Sequence, residues 1–247
     1  MDTPVDRGQY GTMSRSKLCC ALRDALVVLV SVTLIGAPAG PAHASASRSS
    51  AGWPEPVPVV SRVQTTDPVV FVTIDDGWNH DPAAAKLLLD RRVPASLFLL
   101  PGAYSYDDAY FRNLLNHGPV RVENHSVNHP DLSALDAAGQ RAEICGARDQ
   151  HLAKFGDSPR LLRPPYGTYS ETTRTAARAC GAEALVTWTY DLTTWGSDPV
   201  PVPRLKTGDI ILLHFNGTVT DDLRRVLDAA AAAGLKPAPL REYIDRW

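Results

Sequence analysis

The strongest constraint on the fold is a repeated texture. A short, unbroken run of β-branched and aromatic residues is followed by a segment with helical punctuation, and then by another such run. Val69 to Ile74 is the first run, and a continuous apolar stretch of that length reads as a strand buried on both faces. Asp81 then offers an N-cap, with Pro82 at the first helical position. The same alternation predicts strands over Ala95–Leu100, Val120–Glu123, Leu161–Arg163, Ala184–Tyr190 and Asp209–Phe215. Helices are expected over Asp107–His117, Ser133–Phe155, Ser170–Cys180 (ended by Gly181) and Val219–Ala233 (ended by Gly234). Strands alternating with helices imply an α/β fold built on a mainly parallel sheet or barrel. No internal repeat is visible, and one domain over residues 68–247 accounts for the pattern.

Ahead of that domain the texture changes. Met1 to Asp24 carries Arg7, Arg15, Lys17 and Arg23, and an apolar run from Ala25 to Ala37 follows. Pro38, Pro41 and the small-x-small triplet Ala42-His43-Ala44 come next. This order reads as a secretory signal peptide over residues 1–44, cleaved after Ala44, with Met1 or Met13 as the start. The apolar run is shorter than the ~20 residues of a spanning helix. No stable membrane anchor is therefore expected, an uncleaved anchor being the alternative, and the protein is expected to be secreted or associated with the cell wall. Residues 45–67 are rich in Ser, Pro and Ala around Trp53-Pro54-Glu55-Pro56-Val57-Pro58, which makes them a linker or a strap over the domain. Cys19 and Cys20 leave with the signal. Cys145 and Cys180 remain, as a disulfide in an exported chain or as two buried thiols. The 25 basic and 27 acidic residues include no Lys/Arg run, which argues against a nucleic-acid binder that relies on a basic patch. Oligomeric state is not legible.

Ionisable residues collect just past the ends of the expected strands: Asp75 and Asp76, His125 and His129, Arg163, Asp191, and His214. In parallel α/β architectures that edge is where sites are assembled. His125 and His129 are four residues apart and would share a face on one helical turn. With a carboxylate from another strand end they would leave coordination positions open, as at a catalytic zinc; two surface histidines is the plain alternative. Asp75 and Asp76, as strand neighbours, would point to opposite sides, one to a metal and one to a water as general base. Asp-Asp-Gly is otherwise simply a turn after a strand.

Thr73-Ile74-Asp75-Asp76-Gly77, His125-Ser126-Val127-Asn128-His129-Pro130, Arg163-Pro164-Pro165-Tyr166-Gly167 and Ile210-Ile211-Leu212-Leu213-His214 occur in that order. Together they resemble the motifs of the NodB-homology polysaccharide deacetylases, carbohydrate esterase family 4. Val93 to Phe98 and Gly118 to Glu123 also resemble that family's second strand and its approach to the His motif. The resemblance runs from about Pro68 to the C-terminus. It implies a deformed parallel (β/α) barrel with about seven strands, and hydrolysis of N-acetyl, sometimes O-acetyl, groups on sugars by a metal-bound water. Residue by residue, it implies Asp75 as general base, Asp76, His125 and His129 as metal ligands, and Arg163 as the residue that orients Asp75 and keeps it ionised. The backbone amide of Tyr166 would help hold the oxyanion, His214 would protonate the leaving amine, and Leu212 and Trp195 would line the acetyl methyl pocket. Two imidazoles and a carboxylate favour zinc, with cobalt or nickel as alternatives. The partner would be an N-acetylated glycan, from peptidoglycan, chitin or chitooligosaccharide.

Two positions depart from the pattern. Thr194 stands where the family places an acid before the tryptophan, so Asp191 or Asp198 would have to support His214 in its place. Trp78 replaces the proline that follows the first motif, and either stacks on sugar or caps the barrel. His80, His117 and His151 fit no motif and are expected to face solvent. An O-acetyl esterase of the xylan type would use the same residues. A non-catalytic cell-surface sugar-binding protein is the rival from another class, with Thr194 as its support.

Overall fold

A computed structural model describes residues 55–105 and 107–244. The expected signal peptide, with its cleavage site, and the first part of the strap lie outside the described residues.

Parallel strands form the centre of the domain: β1 (Val59–Val60), β2 (Val69–Asp76), β3 (Ala95–Leu99), β4 (Val120–Asn124), β5 (Leu161–Leu162), β6 (Ala184–Val186), β7 (Tyr190–Asp191) and β8 (Ile210–His214). They run in the order β1-β6-β5-β4-β3-β2-β8-β7, and β9 (Lys236–Pro237) adds to the start of β2. The sheet curls toward closure because residues 184–191 cross from one edge to the other. They lie beside β5 as β6, and beside β8 as β7. The expected single strand over Ala184–Tyr190 is therefore two. Thr187 N–H donates to Val60 O, and Thr189 N–H to Ile210 O, as the chain changes neighbours. Just past β1, Arg62 bridges to Asp209 at the foot of β8. The deformed parallel barrel read from the sequence is the fold observed.

Side chains alternate across β2 as the pleat requires. Val70, Val72 and Ile74 face outward with Leu97, Leu99, Ile211 and Leu213, under helices α1 (Pro82–Asp90), α3 (Ala109–His117) and α6 (Val219–Ala232). Phe71 faces inward with Phe98, Leu161, Val186 and Ile210. Leu240 and Ile244 of α7 (Leu240–Ile244) belong to the same inner cluster. A third cluster packs α4 (Ala137–Phe155) and α5 (Glu171–Ala179) on the opposite flank, with Val57 of the proline-rich segment among its members. Val57, Val60 and Val63 are all buried, so this part of the segment is packed into the barrel wall. Cys145 on α4 is bonded to Cys180, the C-cap of α5.

Two of the expected helices begin later than expected, α3 at Ala109 and α4 at Ala137, while α6 begins at Val219 as expected. Asp136, not Ser133, caps α4, and Leu132–Ala134 forms a separate 3-10 turn. Ser170 caps α5 through a reciprocal box with Thr173. A short helix, α2 (Pro101–Tyr104), precedes α3.

His151 overturns its expectation. It is fully buried, its Nδ1 2.9 Å from the Tyr104 hydroxyl and its Nε2 3.1 Å from Leu99 O. His80 is half-buried and stacks on Tyr110, while His117 is exposed. Position on a helix does not decide exposure; the face does, and α4 turns His151 inward. Burial pushes the His151 imidazolium down to about 4. Because the folded pKa lies below the unfolded value of about 6.5, the unfolded state binds the extra proton, and stability is lost as pH falls from about 6.5 to 4. The His151 contribution between pH 7 and pH 5 is about 2 kcal/mol. Urea denaturation at the two pH values should show a loss smaller by about that amount in His151→Gln than in the native protein; equal losses would contradict this.

Candidate active site

The upper ends of β2, β4, β5 and β8 deliver the side chains the sequence singled out. Arg163, immediately after β5, is fully buried inside the barrel, its guanidinium 4.3 Å from the centre of the Phe98 ring. Its Nη1 donates to Asp75 Oδ1 at 2.6 Å and to Thr73 Oγ1 at 2.8 Å. Its Nε and Nη2 reach Val186 O and Thr187 O at 3.3 and 3.0 Å. Burial raises the Asp75 carboxyl above the usual carboxylate range, against the pull of Arg163 and His214. The expectation that Arg163 sets this group is thus half the account, because desolvation is the larger effect.

Asp75 and Asp76 do not separate by strand alternation. Asp76 has a left-handed backbone, φ 70°, so the pleat ends there and both carboxylates line one pocket. His125 Nε2 lies 3.7 Å from Asp75 Oδ2 and 3.5 Å from Asp76 Oδ1, and His129 Nε2 lies 3.7 Å from the same Asp76 oxygen. The two histidines do not share a helical turn. Residues 125–129 are an irregular loop with Ser126 at φ 67° and His129 at φ 59°, and the rings still meet edge to face, 4.9 Å between centres.

The His125 Nδ1 is 2.8 Å from Arg163 O. A carbonyl can only accept, so Nδ1 carries the proton, and in the neutral ring Nε2 presents a lone pair. Burial holds the imidazolium down at about 3, so the ring is neutral at pH 7. That lone pair faces Asp76 Oδ1, a buried acceptor with no hydrogen-bond donor among the described residues. Acceptors converging in this way are the donor set of a cation. Asp76, His125 and His129 offer ligand atoms within 4.8 Å of one another.

The pocket, about 360 Å³, is also lined by Tyr166, Trp188, Asp191, Trp195, Leu212 and His214. Tyr166, at φ 60°, sets its ring edge against His129, and Trp195 lies 4.7 Å from the His214 ring. Leu212 is buried beneath them. Trp78 borders a neighbouring cavity that shares Asp76 and His129 with this pocket. Its ring packs over Gly102, where a Cβ would come within 2.9 Å of it. Trp188 escaped the sequence reading because it sits in what reads as a buried strand. Its only local signal is Gly167, whose missing side chain leaves the ring room.

Neither Asp191 nor Asp198 holds His214 directly. The His214 Nδ1 partner is the Thr193 hydroxyl at 2.8 Å, and Asp191 accepts the Thr193 backbone N–H at 3.0 Å. Asp198 is exposed beside Ser197. Thr194 itself is held from another element. Buried Asp222, in the first turn of α6, accepts the Thr194 N–H and hydroxyl at 2.9 and 2.7 Å and is paired with Arg225. Sequence reasoning passed over Asp222, because an acid in a first helical turn is ordinary there.

The polysaccharide deacetylase family model matches residues 62–185. A Sinorhizobium fredii chitooligosaccharide deacetylase is 34% identical over 174 residues, covering 66% of this chain and 79% of its own. This chain belongs to the polysaccharide deacetylase family. An uncharacterised protein of Streptomyces coelicolor is 38% identical over 193 residues, 76% of this chain and 77% of that one. Two solved family 4 carbohydrate esterase folds are also similar. One from Bacillus anthracis has TM-score 0.65 at 20% identity, over 76% of this chain and 87% of that one. One from Streptomyces lividans, in complex with acetate, has TM-score 0.60 at 23% identity, over 69% and 92%. As a polysaccharide deacetylase the chain is a hydrolase acting on amide C–N bonds.

Removing Arg163 would strand Asp75 as a buried charge. Arg163→Met should cost about 3–5 kcal/mol in urea denaturation at pH 7, and adding Asp75→Leu should recover most of it. Additive losses would contradict the coupling.

Proposed function

We propose that this is an exported, divalent-metal-dependent deacetylase of N-acetylated oligo- or polysaccharide, chitooligosaccharide or peptidoglycan in type. The observation that carries the reading is the Asp76 Oδ1 acceptor facing the His125 Nε2 lone pair. The names of the relatives support the substrate class. Four are chitooligosaccharide deacetylases from rhizobia, and a Bacillus subtilis relative, 29% identical over 143 residues, is a peptidoglycan-N-acetylmuramic acid deacetylase. Export rests on the sequence pattern of residues 1–44.

Asp76, His125 and His129 would hold the cation, zinc before cobalt or nickel. Such an ion supplies Lewis acidity, polarising the acetyl carbonyl and acidifying water. Asp75, lifted by burial, takes a proton from the attacking water, and Arg163 holds its carboxylate in place. The Tyr166 backbone N–H faces the developing oxyanion. His214, its ring fixed by the Thr193 hydroxyl, delivers a proton to the departing sugar amine. Leu212 and Trp195 enclose the acetyl methyl, and Trp78 offers a stacking face to a neighbouring sugar. Thr194 removes none of these groups from the pocket, which supports the catalytic reading over the sugar-binding one.

Acetate release from N-acetylglucosamine oligomers and from peptidoglycan tests the proposal. Activity should vanish on chelation and return with zinc, and Asp75→Asn should lower kcat by about 10²–10⁴-fold. Activity unaffected by chelation, or release from acetylated xylan alone, would contradict it.

A further inference from the structure

Among the described residues, the non-glycine positions with left-handed backbone are Asp76, Arg92, Ser126, His129 and Tyr166. All but Arg92 belong to the site. Such conformations persist only where the surroundings over-determine them, so something must hold the loop that joins His125 to His129. Ser126 contributes from within, its hydroxyl accepting the His129 N–H at 3.0 Å. The rest of the hold comes from α4. Ser126 N–H donates to Asn124 Oδ1 at 2.9 Å, and the Asn124 side-chain amide is fixed in turn on Ile144 O at 2.8 Å. One residue earlier on the helix, Glu143 receives three donors from the loop. Its Oε2 accepts the backbone N–H groups of Val127 and Asn128 at 2.9 and 2.8 Å, and its Oε1 accepts the Asn128 side-chain amide at 2.7 Å. Gly146 lies one turn further along α4, where a Cβ would come within 3.1 Å of the Val127 side chain, so the loop rests against bare helix there.

Glu143 pairs with no cation among the described residues, although Arg141 and Arg148 share its helix. Oε2 goes to the two peptides between the histidines and Oε1 to the Asn128 side chain. We propose that Glu143 is a positioning residue for metal binding. By anchoring Val127 and Asn128, it holds His125 and His129 at the separation at which both rings reach one ion, without touching the ion or the substrate. The inference rests on the metal site proposed above and adds to it the element that preorganises it. A loop with strained backbone at Ser126 and His129 relaxes when its outside anchor is removed, and the two imidazoles then no longer converge on Asp76.

The test is the zinc dissociation constant, measured by competition with a chromophoric chelator, beside the melting temperature of the metal-free protein. Native protein, Glu143→Ala and Glu143→Gln are compared. Loss of an outer partner of a metal ligand weakens binding by about 10–100-fold, and that is the expected effect of Glu143→Ala. The metal-free melting temperature should stay within a few degrees of native. Glu143→Gln should fall between the two, because its amide oxygen still accepts the backbone N–H pair. Native zinc affinity in Glu143→Ala would overturn the inference while leaving the metal site intact. So would a large fall in metal-free melting temperature in both variants with no recovery of affinity in Glu143→Gln, which would assign the residue to folding. A native protein that fails to retain zinc would overturn the metal reading itself and this inference with it.

Discussion

The site depends on one buried guanidinium. Taking an arginine out of water costs several kcal/mol unless its donors and its charge are answered, and Arg163 is answered on every side. Its donors go to Asp75 and Thr73 on β2 and to the carbonyls of Val186 and Thr187 at the end of β6. Its face lies on Phe98 of β3, and its backbone N–H donates to Asn124 O of β4. Its own carbonyl takes the His125 ring proton. One residue thus registers four strands against each other and fixes the tautomer of a proposed metal ligand. The apolar half of the barrel below it, with Phe71, Ile210 and the α7 residues Leu240 and Ile244, supplies the dry surroundings that make those bonds strong.

The same arrangement explains why two adjacent aspartates can differ in role. Asp75 is saturated by Arg163 on one oxygen and lifted by desolvation. Asp76, turned by its left-handed backbone, presents a buried oxygen with no donor among the described residues. In the proposed chemistry the first is a proton acceptor and the second a ligand. That division follows from partners and backbone conformation, not from facing opposite sides of the strand.

Much of this was legible in the sequence, and the failures share a cause. Continuous apolar runs identified β2 and β8, and a largely apolar run β3, because strands buried on both faces carry little polar alternation to blur them. Residues at strand ends reached one pocket because the parallel topology puts those ends together. What escaped was whatever depends on contacts between distant segments. The Val59–Val60 strand hides among prolines and exists only because β6 is there to pair with it. His151 looked exposed because its face on α4 is decided by Tyr104, far away in the chain. Asp222, in the first turn of α6, carries no local sequence signal of its contact with Thr194, 28 residues earlier. The spacing of His125 and His129 carried the right pairing for the wrong reason, since a strained loop rather than a helical turn brings the rings together.

The central claim is that Asp76 belongs to the cation and Asp75 to the proton. Zinc titration of Asp76→Asn and Asp75→Asn by isothermal calorimetry, each beside the native protein, tests it most directly. The account predicts that Asp76→Asn loses zinc affinity by at least tenfold while Asp75→Asn keeps it near the native value. Retained affinity in Asp76→Asn, or loss confined to Asp75→Asn, would contradict it.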